Sequence, residues 1–302
     1  MAEKDNKISI RNKTVFQSEP FLPNANYFNR FVGRNPELSL ITAALIAGDH
    51  SLPLIPLLIG EPGVGKNRLV YELAQKTDRQ LYIFQGHEDV TSEDLACTVR
   101  FSDHTSSVMD YMLSPLVTAM YNGGICFIDE IGKIRPRALA LLVSVLDERR
   151  YIDSTLLGER IHAHPGFRFV AATNTADLNL LPEFIVSRLR PQISIGYPPK
   201  DEIDDIIRDQ CKGIKKEVDK LINLFWVLWT DYGGSLGAIA PRDAISLFGW
   251  ASKLGAFEKT GGGKVLMEAR SPNPFQLNEE QSYIGIKPEH LKQAFQKLFT
   301  DR

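Results

Sequence analysis

The chain contains 302 residues, of which 35 are Lys or Arg, 37 are Asp or Glu, and 43% are hydrophobic. This composition predicts a folded globular protein rather than a disordered chain, and the near-neutral charge disfavours a cationic nucleic-acid binder. The sequence has no apolar run of membrane-spanning length, no signal-peptide pattern and no Cys-x-x-Cys pair among Cys97, Cys126 and Cys211. We therefore expect a cytoplasmic protein without membrane spans, disulfide bonds or a structural zinc site.

Residues 1–25 have few periodic apolar positions and predict a loose N-terminal arm. Asn35 followed by Pro36 is typical of a helix cap and first turn, and Gly48 of a helix end. Short apolar runs then alternate with helical stretches, which predicts a parallel sheet with helices on both faces, an α/β fold. The predicted strands are 52–59, 81–84, 125–128 and 167–172, and the predicted helices are 66–77, 107–122, 180–189 and one carrying the stripe Leu139, Leu142, Val143 and Leu146.

The pattern changes after Pro198 and Pro199, where helical stretches follow one another almost without strands. Helices are predicted near 201–211, 215–230, 242–254 and 287–299, and the glycine-rich stretch 259–284 predicts a mobile loop. The expected organisation is therefore an α/β core over residues 26–199 and a small all-helical domain over residues 200–302.

The segment from Gly60 to Lys66 matches the pattern G-x-x-x-x-G-K and lies between an apolar strand and a helix. In that context the glycines let successive backbone N–H groups point at phosphate oxygens, and the lysine reaches the β- and γ-phosphates. The predicted nucleotide-binding residues here are Glu61, Pro62, Gly63, Val64, Gly65, Lys66, Asn67 and Arg68. We expect ATP as the bound nucleotide.

Asn67 departs from the phosphate-loop pattern, which has Ser or Thr after the lysine because its hydroxyl ligates Mg²⁺. An amide oxygen can also bind a hard cation, but it lies further from the backbone and carries an NH₂ group beside it. We expect nucleotide binding to survive this change, while hydrolysis depends more strongly on how the metal is placed. Asn67 is one of the two predicted Mg²⁺ ligands.

The apolar run 125–128 ends in Asp129 and Glu130. A carboxylate at this strand end predicts the second Mg²⁺ ligand, Asp129, which would hold the ion through water, and Glu130 is the candidate base for the attacking water. Asn174 follows another predicted strand and is a candidate to hold that water against the γ-phosphate.

Together these motifs resemble those of AAA+ ATPases, most closely the MoxR or dynein-related branch, over Phe31 to Leu298. The resemblance implies a P-loop NTPase core followed by a helical lid, with ATP and Mg²⁺ as cofactors. It also implies individual roles: Val32 and Gly33 at the adenine, Asn174 as the first sensor, Arg188 (or alternatively Arg190) as the arginine finger acting on a neighbouring subunit, and Arg242 at the γ-phosphate.

Two insertions narrow the branch: Gln85 to Tyr111 resembles the helix-2 insert, and Arg149 to Phe167 resembles a hairpin before the first sensor. The resemblance implies a homo-oligomeric ring, expected to be a hexamer, that remodels a protein client, with a von Willebrand factor A-domain protein as a possible partner. Two alternatives stay open. One is a motor subunit of a nucleic-acid-processing complex, although nucleic acid is not the expected partner. The other is an ATP-binding scaffold that hydrolyses weakly because of Asn67.

Overall fold

The computed structural model describes residues 6–23, 31–48, 51–101, 109–210, 218–235, 238–259 and 286–300. Most of the loop predicted at 259–284, together with Cys211 and Gly237, lies outside the described residues, and Lys259 is the last residue of a helix. The chain forms two compact units. It passes from the first unit into the second between Ile195 and Gly196. The second unit also includes Pro62–Gly65.

The first unit is built on a five-stranded parallel sheet. Its strands are β3 (Leu57–Ile59), β4 (Leu81–Gln85), β7 (Ile125–Asp129), β10 (Arg168–Thr173) and β11 (Gln192–Ser194). They lie in the order β11-β3-β10-β7-β4. Every residue of β3 and β7 is buried, as expected for strands covered on both faces. The parallel sheet predicted from the sequence is confirmed.

In this sheet the first predicted strand is shorter than expected, and one strand, β11, was not predicted. β3 begins only at Leu57 because Pro53 and Pro56 have no N–H to donate to a neighbouring strand. β11 has only three residues, of which Ile193 alone is buried, so its sequence carries no periodic signal.

The helices of the first unit are α1 (Asn35–Ala44), α2 (Lys66–Lys76), α3 (Ser92–Ala96), α4 (Pro115–Asn122), α5 (Pro136–Leu139) and α6 (Glu183–Val186). Arg34 precedes α1 in a left-handed conformation, so Asn35 is the first helical residue and not the cap. The predicted helix at 180–189 is reduced to α6, because a 3₁₀ turn occupies Thr175–Leu180. The stripe expected on one helix is buried at Leu139 and Leu142, but it lies on α5 and a 3₁₀ turn.

A second sheet corrects two predictions. Its strands are β1 (Lys7–Ile10), β2 (Lys13–Phe16), β5 (Cys97–Phe101) and β6 (Met109–Leu113), in the order β1-β2-β6-β5. Lys7–Phe16 is therefore a hairpin and not a loose arm. The helix predicted at 107–122 begins only at Pro115, where the side chain of Ser114 caps it, and Met109–Leu113 is a strand.

The hairpin predicted between Arg149 and Phe167 is present. It consists of β8 (Tyr151–Ser154) and β9 (Glu159–His162), which pair antiparallel. The N-terminal hairpin contacts the β8–β9 hairpin near its turn. Lys13 Nζ donates to the carbonyl of Leu156 at 2.8 Å, and Arg11 pairs with Glu159.

The second unit contains four described helices: α7 (Lys200–Gln210), α8 (Val218–Asp231), α9 (Pro241–Lys259) and α10 (Pro288–Phe295). Phe225, Trp226 and Phe248 form an aromatic group in its core. Trp226 donates to the buried carboxylate of Asp204 at 2.6 Å, and Lys200 pairs with the same carboxylate. None of the helices in the described part of the chain has the length and apolar content that a bilayer span requires.

Candidate nucleotide-binding site

The candidate phosphate loop joins the end of β3 to the start of α2. Gly63 and Gly65 have φ values of +83° and +106°. These backbone conformations are strained for any residue with a Cβ, so both positions require glycine. The turn brings the chain directly into the first residue of α2, Lys66. A loop of this kind at a helix N-terminus is a ready anion-binding site.

Lys66 is 6% exposed, and its ammonium group is held over the loop. It donates to the carbonyl oxygens of Gly60 at 2.7 Å and Glu61 at 3.1 Å, and to Asn174 Oδ1 at 3.0 Å. All three partners are neutral, so none of them neutralises the lysine charge. The structure thus brings the predicted Lys66 and Asn174 together and presents a buried positive charge at the carboxyl end of the sheet.

The acidic pair lies at the end of β7, where both carboxylates have partners. Asp129 Oδ1 accepts from the backbone N–H of Glu130 at 2.9 Å, and Asp129 Oδ2 accepts from Asn67 Nδ2 at 2.6 Å. Glu130 Oε2 accepts from Gln85 Nε2 at 3.0 Å and from Lys133 Nζ at 2.8 Å. The hydrogen bond with Glu130 raises the pKa of Lys133. Glu130 itself has a left-handed backbone (φ +54°), so its side chain leaves the chain in a different direction from that of Asp129.

Gln85 and Lys133 were not among the residues expected from the sequence. Gln85 is the last residue of β4 and lies directly opposite Asp129 in the parallel register. Lys133 is three residues after Glu130, at the end of a 3₁₀ turn. The strand-end position of Gln85 could have been recognised, because parallel strand ends share one edge of the sheet.

Two glycines let the strand ends approach closely. A Cβ on Gly86 would lie 2.5 Å from the carbonyl oxygen of Glu130, and a Cβ on Gly132 would lie 2.6 Å from Thr173 Oγ1. Neither approach is possible with a larger residue unless the backbone moves. Asn174, next to Thr173, also donates to Asp177 at 3.3 Å, so its amide is held on both sides.

The fit of Mg²⁺ to these residues can be tested on their donor groups. Mg²⁺ takes oxygen ligands, usually one or two carboxylates with water and phosphate oxygens. Asp129 is a carboxylate at the right strand end, but Asn67 directs its NH₂ group, and not its amide oxygen, at that carboxylate. The residues present therefore do not fit a metal ion held directly by residue 67 beside Asp129.

The two candidate arginine fingers follow α6. Arg188 donates to the carbonyl of Phe184 at 2.6 Å and lies 4.0 Å from the carboxylate of Asp147, while its buried Nε has no hydrogen-bond acceptor among the described residues. Asp147 also accepts hydrogen bonds from the side chain and the backbone N–H of Arg149, which lower its pKa. Arg190 is exposed. The contacts of Arg188 are thus with its own helix and with Asp147.

Three further candidates belong to the second unit. Arg242 is the second residue of α9 and is exposed. Gly63 belongs to the same unit. A Cβ added at Gly63 would lie 3.1 Å from the Cβ of Arg242. Val32 and Gly33 are half-buried, and the left-handed backbone of Gly33 (φ +68°) packs against the side chain of Glu202.

A phosphate loop, a buried lysine and an acidic strand end on a parallel sheet are the features of a P-loop nucleotide-binding fold. Residues 56–189 match the family model "AAA domain (dynein-related subfamily)". This segment is therefore an AAA domain of the dynein-related subfamily, as the sequence motifs predicted.

Relatives among known proteins match about half of the chain. An uncharacterized protein of Staphylococcus saprophyticus is 32% identical over 160 residues, or 52% of this chain and 60% of the relative. The denitrification regulatory protein NirQ of Stutzerimonas stutzeri is 29% identical over 168 residues, or 55% of this chain and 59% of the relative. The aligned part thus spans about 60% of the length of these relatives.

Solved structures with the same fold include two AAA+ proteins. The RuvB Holliday junction branch migration motor of Thermotoga maritima has 16% identity and a TM-score of 0.51, covering 88% of this chain and 70% of that chain. The AAA domain of FIGL-1 in complex with ADP has 14% identity and a TM-score of 0.50, covering 88% and 82%. At these identities the likeness concerns the fold alone.

Proposed function

We propose that this chain is a ring-forming cytoplasmic ATPase of the MoxR type, which uses ATP binding and hydrolysis to remodel or assemble a partner protein or to insert a cofactor into it. The observation that carries the proposal is the buried ammonium of Lys66, which donates to the carbonyl oxygens of Gly60 and Glu61 and to the amide oxygen of Asn174. The phosphates of a nucleotide bound at the loop would place negative charge against this buried cation. The left-handed glycines of the loop supply the backbone geometry for the same phosphates.

The residues around the lysine support hydrolysis of the bound nucleotide. Glu130 acts as the base that takes a proton from the attacking water, and Asn174 holds that water. Gln85 and Lys133 donate to the Glu130 carboxylate and keep it oriented until the water is in place. Lys66 stabilises the charge that develops on the transferred phosphoryl group.

Three roles depend on groups outside this cluster. Val32 and Gly33 contact the adenine, Arg242 contacts the γ-phosphate, and Arg188 completes the site of the next subunit, with Arg190 as the alternative. An arginine finger supplied by a neighbour makes hydrolysis depend on assembly. We therefore propose a ring, with six subunits as the expected number.

The client is proposed to be a protein. Family resemblance and the near-neutral charge support a protein over a nucleic acid. Among possible partners, a von Willebrand factor A-domain protein is the one we would test first. The two insertion hairpins, β5–β6 and β8–β9, are the candidate client contacts.

The mechanism is tested by Glu130→Gln, with Glu88→Gln on an exposed loop position as the matched control. We expect Glu130→Gln to lower ATP turnover by about 10²- to 10⁴-fold while ATP binding is kept, because only the base is lost. Unchanged turnover would refute the assignment of Glu130. Mass photometry with and without ATP measures the ring directly, and a monomer under both conditions would refute assembly.

A further inference from the structure

We infer that Asn67 takes the place of the metal ion at Asp129, so that this site binds ATP without requiring Mg²⁺. The inference rests on the proposed ATP binding and concerns its metal dependence. The observation behind it is the 2.6 Å hydrogen bond from Asn67 Nδ2 to Asp129 Oδ2.

Chemistry fixes the orientation of the Asn67 amide. An ionised carboxylate can only accept hydrogen bonds, and the amide has its donor and acceptor on different atoms. The atom of Asn67 within hydrogen-bond distance of Asp129 must therefore be the nitrogen. The amide oxygen cannot occupy the same position while this bond is present.

A hydroxyl group would not create this conflict. The oxygen of Ser or Thr donates one hydrogen bond and keeps two lone pairs, so the same atom can donate to Asp129 and ligate a cation. Asn67 can do only one of the two at that position. For the amide oxygen to ligate Mg²⁺ there, the charge-assisted hydrogen bond to Asp129 would have to break.

The bond also compensates for the charge of Asp129. The Asp129 side chain is 8% exposed, and a nearly buried carboxylate close to bound phosphates would repel them. Two donors face this carboxylate, the NH₂ of Asn67 and the backbone N–H of Glu130. These hydrogen bonds stabilise the ionised carboxylate and occupy the positions at which it would otherwise contact a metal-bound water.

Tyr71 holds Asn67 from the other side. Burial raises the pKa of Tyr71, and a hydrogen bond with Asn67 acts in the opposite direction. The ring of Tyr71 stacks on Phe21 with 4.6 Å between the ring centroids. Because Tyr71 is one helical turn after Asn67 and is itself fixed by this stacking, the Asn67 side chain is held in its donating position.

The test measures the affinity of mant-ATP by fluorescence in excess EDTA and in excess MgCl₂. Three proteins are compared: the native chain, Asn67→Thr, and Asn223→Thr as the same change on an exposed face of α8. We expect the native chain and Asn223→Thr to bind equally in both buffers, within about twofold, and Asn67→Thr to bind at least about tenfold more tightly with Mg²⁺.

The outcomes separate the inference from the proposed function. Native binding that strengthens about tenfold or more with Mg²⁺ would overturn the inference and leave ATP binding in place. The same metal dependence in Asn67→Thr as in the native chain would overturn the role of Asn67. A native chain that binds mant-ATP in neither buffer would overturn the proposed function itself.

Discussion

Lys66 Nζ lies 3.0 Å from Asn174 Oδ1, which joins the first residue of α2 to the residue after β10. The lysine and the amide come from segments 108 positions apart in the chain. Because the amide is also bonded to Asp177, the Asn174 side chain is held in one orientation beside Lys66.

Asn174→Ala removes this amide and is expected to lower ATP turnover by about 10- to 10²-fold, because the attacking water loses a positioning group. Affinity for ATP is expected to change little, since Lys66 keeps its two carbonyl partners. Steady-state turnover and equilibrium binding measure the two effects. Asn179→Ala, an exposed asparagine of the following 3₁₀ turn, is the control, and equal turnover of both variants would contradict the role of Asn174.

Arg188→Ala is expected to lower turnover by about 10³-fold without weakening ATP binding to the isolated subunit, because the arginine acts on the neighbouring site. Mixing inactive Arg188→Ala subunits with inactive Glu130→Gln subunits should restore part of the turnover. Some interfaces of the mixed ring then carry both intact groups. Arg190→Ala is the comparison, and a loss confined to that variant would transfer the role to Arg190.

Gly86→Ala is expected to destabilise the protein by about 1–3 kcal/mol and to lower turnover, because its Cβ would press on the backbone of Asp129 and Glu130. Gly249→Ala is the matched control. The Cβ there meets nothing within 4 Å, and alanine favours the helix α9 by about 0.5–1 kcal/mol. Urea unfolding with a turnover assay measures both effects, and equal stability changes in the two variants would refute the close approach at Gly86.

Acid is expected to weaken the segment that holds Arg188. The hydrogen bonds from Arg149 lower the pKa of Asp147 below its ordinary value of 3.8. A carboxylate with a lowered pKa contributes stability above its unfolded pKa, and this contribution is lost as the pH falls through the folded pKa. In Asp147→Asn, thermal unfolding should therefore depend less on pH below about 4 than in the native chain. Asp89→Asn, on an exposed loop, is the control, and identical pH profiles for all three proteins would contradict this contribution.

Sequence patterns predicted the strands that are buried on both faces. Ile125–Asp129 is a continuous apolar run because helices cover both sides of β7, and such a run is visible without knowledge of its neighbours. The central sheet could be predicted because its signal is local.

The second sheet could not be predicted in the same way. β2 and β6 are each four or five residues long and only partly buried, and each is a strand because it pairs with the other. That pairing joins Val15 to Tyr111, and no local pattern reports a contact over such a separation. Over residues 109–113 tertiary contacts produced a strand in place of the expected helix.

Motif spacing predicted Lys66, Asp129, Glu130 and Asn174 as neighbours, and the structure brings all four to one sheet edge. It did not predict the direction of hydrogen bonding at Asn67, which depends on the carboxylate that faces it. Nor did it find Gln85 and Lys133, because a glutamine and a lysine carry no distinctive pattern. Residue types identified the chemistry of the site, and side-chain contacts determined how it is arranged.

The β1–β2 hairpin has a consequence for how the protein is made. Its pairing partner, β6, lies far along the chain, so a ribosome releases the hairpin well before the strand that it joins. Until β6 emerges, β2 has one open edge, and open edges favour pairing between chains. A fragment cut to residues 56–189 would have the reverse defect, since β6 would lose β2 and expose its own edge. Expression of the matched domain alone is therefore expected to give a protein that self-associates, whereas a fragment that begins before Lys7 would keep the edge covered.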